Sequence, residues 1–112
     1  MIENKTSSTK PDVVTVVYNK FRQATHVIAF DIVYNEQTKE WSYKEETIPA
    51  GRFNYGGIVD ILIQDVYPVP NMQAVQNNYL KDMQNPDYKA EMDTMQEWRD
   101  KAKEIARTVL EQ

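Results

Sequence analysis

The hydrophobic period of this chain changes once, at Asn54, and that single change restricts the folds open to it. Upstream, apolar residues alternate as they do on strands, with period two; downstream they recur every three to four residues, as on one face of a helix. Strands followed by helices predict an α+β fold. The expected architecture is an N-terminal antiparallel sheet of about three strands packed against three C-terminal helices.

Val13 to Tyr18 is a β-branched run of strand length, closed by the polar break Asn19-Lys20. From Thr25 to Tyr34 the alternation sets His26, Ile28, Phe30, Ile32 and Tyr34 on one face, which reads as the core face. After the polar connection Asn35 to Lys39, Glu40 to Ile48 alternates Trp41, Tyr43, Glu45 and Thr47 against Ser42, Lys44, Glu46 and Ile48, so the two segments predict a hairpin. Pro49 and Gly51 end the strand. Residues 1 to 11 are polar and read as a flexible tail before a single α+β domain over 12 to 112.

Asn54 is placed to cap a helix running through Val66, whose apolar positions cover so much circumference that it reads as the central buried helix. Pro68 and Pro70 should stop it. Asn71 then reads as the cap of a second helix, with Met72, Val75, Tyr79, Leu80 and Met83 on one core-facing stripe. Asn85-Pro86 opens a long third helix, with Asp87 and Glu91 early, Lys101, Lys103 and Arg107 late, and a Glu97 to Lys101 pair one turn apart.

A chain of 112 residues has the usual size of one domain and can bury roughly 65% of its unfolded surface. The absence of cysteine removes disulfides, thiolate nucleophiles and cysteine zinc sites. The first residues lack the apolar region of a Sec signal, and no stretch is long and apolar enough to span a membrane, so the cytoplasm is the expected compartment. Residues 54 to 112 hold the whole formal charge of −4, which would repel a phosphate backbone and makes nucleic acid an unsuitable partner.

Few residues suggest chemistry. All three glycines lie between Gly51 and Gly57. The functional reading is an anion or small-ligand site in which Arg52 and the amides near Gly56 and Gly57 converge on a negative group; the bland reading is that the chain needs glycine to turn tightly from sheet to helix. His26 is the only histidine, too few for a metal site, and reads as a hydrogen-bonded, half-buried side chain. Ser7, Ser8 and Ser42 lack the surroundings of a nucleophile, and the acidic residues read as solvated. Neither catalytic turnover nor a cofactor or metal is expected. Trp41, Tyr43, Phe53 and Tyr55 are of the types favoured at binding hot spots and form the candidate interface, unless they simply pack beneath the helices.

Phe53-Asn54-Tyr55-Gly56-Gly57-Ile58-Val59-Asp60, followed by Val66-Tyr67-Pro68 and Ala74-Val75-Gln76-Asn77-Asn78-Tyr79-Leu80, resembles small uncharacterised proteins encoded by phages and prophages of gut Bacteroides-type bacteria. The resemblance implies an origin in a mobile element and a part in virion structure or assembly, with no catalytic residues. Together these readings give a non-catalytic interaction or assembly protein that binds a protein partner or itself, in the cytoplasm of the bacterial host that the resemblance implies or on the virion; the alternative is a small-ligand or anion-binding protein using the Arg52 to Gly57 loop at a helix N-terminus.

Overall fold

The computed structural model describes residues 1–112. Four strands, β1 (Glu3–Ser7), β2 (Val14–Tyr18), β3 (Ala24–Asn35) and β4 (Glu40–Ile48), precede three helices, α1 (Tyr55–Val66), α2 (Val69–Lys81) and α3 (Pro86–Leu110). The strands form one antiparallel sheet in the order β1-β4-β3-β2. The expected α+β fold is therefore present, with one strand more than the alternation shows.

That extra strand lies in the segment expected to be a polar tail. Glu3 to Ser7 pairs with Glu45 to Trp41 along β4. An all-polar edge strand draws its stability from ladder hydrogen bonds rather than an apolar face, so it carries no period-two signal.

The core lies between one face of the sheet and the helices. Ile28, Phe30 and Ile48 meet Ile58 and Leu62 of α1 and Ala102, Ile105, Ala106 and Val109 of α3. Burying each large aliphatic side chain here contributes about 1.5 to 3 kcal/mol. The core face of β3 ends sooner than its alternation predicts. Phe30 pairs with Lys44 but Val33 pairs with Ser42, so β3 holds one extra residue, and Asp31 takes a left-handed φ of 53° at this bulge. An inserted residue swaps the faces beyond it, which is why Tyr34 leaves the core face and lies 44% exposed.

The helices also redistribute burial. Asn54 caps α1 as expected, its side chain accepting from the Gly57 amide at 2.8 Å, and Asn85 caps α3 by accepting from Asp87 and Tyr88. Yet α1 buries only Gly57, Ile58 and Leu62, whereas α3 buries Met95, Ala102, Ile105, Ala106 and Val109, so the central helix is α3. Helix α2 begins at Val69 rather than Met72, because Pro70 stands in its first turn, where a missing N–H costs nothing. It packs on α3 and buries no residue; Leu80 and Met83 are exposed, not part of a core stripe. Lys101 bonds Asp31 across the layers instead of pairing with Glu97.

The result is thin, measuring 48 × 42 × 22 Å, with a radius of gyration of 16.7 Å. A compact chain of this length would have about 13 Å. Only 13 of 112 residues are buried, and as many large apolar side chains stand exposed, so the isolated chain leaves much apolar surface uncovered.

Candidate functional site

Because Glu46 and Ile48 point into the core, the pleat of β4 sends Trp41, Tyr43, Glu45 and Thr47 to the face away from the helices. Trp41 and Tyr43 are half-buried there by their own sheet neighbours. Tyr34, brought across by the bulge in β3, sits opposite Trp41 with ring centroids 5.0 Å apart and planes tilted by 56°. Lys10 places its ammonium 5.7 Å from the Trp41 ring, and Lys5 of β1 lies opposite Tyr43. The outer face thus carries an aromatic cluster flanked by cations.

The other two candidate interface residues are elsewhere. Phe53 packs against the core and stacks on His26 at 3.7 Å between centroids, with planes 3° apart. Tyr55 opens α1 with the Arg107 guanidinium 5.9 Å from its ring centroid. Both belong to the helix side, so Trp41 and Tyr43 form a surface with Tyr34, not with Phe53 and Tyr55. His26 is half-buried as expected, but its Nδ1 has no hydrogen-bond partner within the protein.

At the sheet-to-helix corner, two of the three groups of the candidate anion site, Arg52 and Gly57, already have partners. The Arg52 guanidinium bonds Asp60 at 3.1 Å, and Asp60 also accepts from Gln64 at 2.8 Å. The Gly57 amide is taken by Asn54. A Cβ on Gly57 would collide with the Arg52 carbonyl oxygen, whereas Gly56 meets only Asn54 Oδ1 at 3.8 Å. Gly51 has φ 81° in a tight turn closed by Arg52 N–H to Pro49 C=O at 3.1 Å. Close approach and turning thus account for Gly57 and Gly51.

Two features escaped the alternation pattern. Glu46 is 2% exposed on the core face; its Oε1 accepts from the Met1 ammonium at 3.0 Å, which also lies 3.5 Å from Asp65, while its Oε2 has no partner. Burial pushes the Glu46 carboxyl up to about 7, and neighbouring Asp65 pushes the same way against the opposing pull of the ammonium. Its position on the Ile48 side of the pleat was the available signal. Asp31 is the second feature: it joins Lys101 at 2.7 Å and Lys44 at 3.6 Å beside a cleft of about 280 Å3 lined by Phe30, Ile32, Ile105 and Val109.

No group of three or more His, Cys, Asp or Glu side chains is placed to hold a metal ion, and no helix is long and apolar enough to cross a membrane. No family model, curated protein or solved structure matches the chain.

Proposed function

We propose that this protein is a non-catalytic interaction or assembly protein that binds a protein partner through the outer face of its sheet. The observation that carries this reading is the Tyr34, Trp41 and Tyr43 cluster on the face the helices leave uncovered. Aromatic side chains bury large area at low entropic cost, and a protein that sets them among Lys5, Lys10, Glu3 and Glu45 fits a surface of mixed charge. The thin shape and small core support the same reading, since a partner would cover what the chain does not cover itself. The resemblance to phage- and prophage-encoded proteins makes virion structure or assembly the proposed setting, in the host cytoplasm or on the virion.

The test pairs capture of the protein partner from host lysate with thermal melts of Trp41→Ala and Tyr43→Ala, the association in question being that with the captured partner. Both variants should remain folded and lose association. If either instead costs roughly 3 to 5 kcal/mol, as large-to-small core changes do, or if neither changes association, this reading is wrong.

A further inference from the structure

The two edges of the sheet differ in a way that determines how copies of this chain can meet. Strand β1 carries Glu3 and Lys5, which pair at 3.1 Å, and charge of that kind blunts an edge against further pairing. Strand β2, Val14-Thr15-Val16-Val17-Tyr18, carries neither charge nor proline, and Val16, Val17 and Tyr18 are 45%, 49% and 68% exposed. The devices that keep edges apart are present on one side of the sheet and missing on the other.

The ladder shows which groups of β2 are free. Residues of an antiparallel strand alternate between those that bond the neighbouring strand and those whose N–H and C=O point away from it. The Ala29 N–H donates to the Val13 carbonyl at 2.9 Å, so Val13, Thr15 and Val17 bond β3, and Val14, Val16 and Tyr18 turn their polar groups to the open edge.

We propose that β2 pairs antiparallel with β2 of a second copy about a two-fold axis at Val16. This inference stands on β2 alone and goes beyond the outer-face reading. In that register Val16 faces its own counterpart, and Val14 faces Tyr18 of the other copy, so all three residues with free groups meet residues with free groups. Val14 against Tyr18 is also a favourable β-branched to aromatic pair. Just beyond the two ends of the paired strands, the same register brings exposed Asp12 of one copy to the end of the sheet where exposed Lys20 stands in the turn after β2 of the other, so opposite charges flank the seam at both ends. A second copy therefore fits this edge in hydrogen-bond parity, side-chain pairing and charge. The assembly closes, because the product is one sheet with four strands from each copy and a charged β1 at both outer edges.

Analytical ultracentrifugation from micromolar to millimolar protein tests the pairing. The wild type should pass from monomer to dimer. Val16→Pro removes an N–H that the monomer does not use, so it should stay folded and monomeric; Val17→Pro removes a ladder donor and should unfold. Val16→Lys, which sets two lysines face to face, reads the same interface should Val16→Pro lose its fold. Asp12→Lys should weaken the dimer about tenfold, and adding Lys20→Asp should restore it. Trp41→Ala should leave the dimer intact. A wild type that stays monomeric throughout, whether or not its edge takes a strand from a different protein, overturns the proposal. So does a dimer that survives the Val16 variants, that the double charge exchange fails to restore, or that Trp41→Ala dissolves.

Discussion

The indole nitrogen of Trp98 donates to the backbone carbonyl of Leu62 at 2.9 Å, tying α3 to α1 across 36 residues of sequence. Leu62 is fully buried beneath that bond, and Trp98 packs against the core. Trp98→Phe keeps most of the ring and removes the donor. It should cost about 1 kcal/mol, the net worth of one such bond, whereas Trp98→Ala should cost several times more by also opening the α1 to α3 contact. Urea titration of the two variants checks the order; a Trp98→Phe variant as stable as the wild type would mean the hydrogen bond contributes nothing, and equal losses would mean the ring's packing adds nothing beyond it.

The adjacent glycines Gly56 and Gly57 should behave in opposite ways. A Cβ at Gly57 meets the backbone of Arg52, with the Arg52 Cα 3.2 Å away, and backbone cannot step aside as a flexible side chain can. Gly57→Ala should therefore destabilise by about 2 kcal/mol or more, and Gly57→Val further. A Cβ at Gly56, in the first turn of α1, makes only an ordinary contact with Asn54 Oδ1 at 3.8 Å, so Gly56→Ala should stabilise by about 0.5 to 1 kcal/mol through a less flexible unfolded chain. Thermal melts that rank the two alanine variants the other way would refute this account of the corner.

What could be read from the sequence follows from where local chemistry decides the structure. The β3 to β4 hairpin and the starts of α1 and α3 were legible because alternation, Asn54, Asn85 and Pro86 act over a few residues. Strand β1 was not, since Glu3 to Ser7 has no apolar face and is held by a ladder to residues some forty positions away. The bulge was hidden because Asp31 looks like any polar residue on an alternating strand until its register with β4 is known. That shift also conceals one of the three aromatic residues of the candidate site. Trp41 and Tyr43 can be named from the sequence, but unbroken alternation puts Tyr34 on the opposite face.

The bulge predicts how position 31 tolerates change. Asp31 combines a φ of 53° with ion pairs to Lys101 and Lys44. Asn adopts left-handed backbone readily, so Asp31→Asn loses only the partly exposed ion pairs and should cost under about 1 kcal/mol. A β-branched residue is strained there, and Asp31→Val should cost about 2 kcal/mol or more. If denaturant melts find the two variants alike, the backbone at the bulge is not what selects the residue.

The last prediction concerns pH and follows from Glu46. Burial, reinforced by Asp65, raises its carboxyl from an ordinary value near 4.5 to about 7, so the folded chain holds this proton more tightly than the unfolded chain does. The sign is then determined: the contribution is fully present below about 4.5 and is lost as pH rises through about 7. The Met1 ammonium, raised above its ordinary 8.0 chiefly by its hydrogen bond to Glu46, adds a further loss once it deprotonates at still higher pH. Glu46→Gln imitates the protonated carboxyl. It should match the wild type near about pH 5, exceed it near about pH 8, and remove most of the slope between. Asp65→Asn withdraws one of the charges that raise Glu46 and should shrink the same slope without abolishing it. Melting temperatures measured across this range decide the matter: a wild type whose stability is flat or rises from acid to neutral pH would show that Glu46 is ionised in the folded protein throughout.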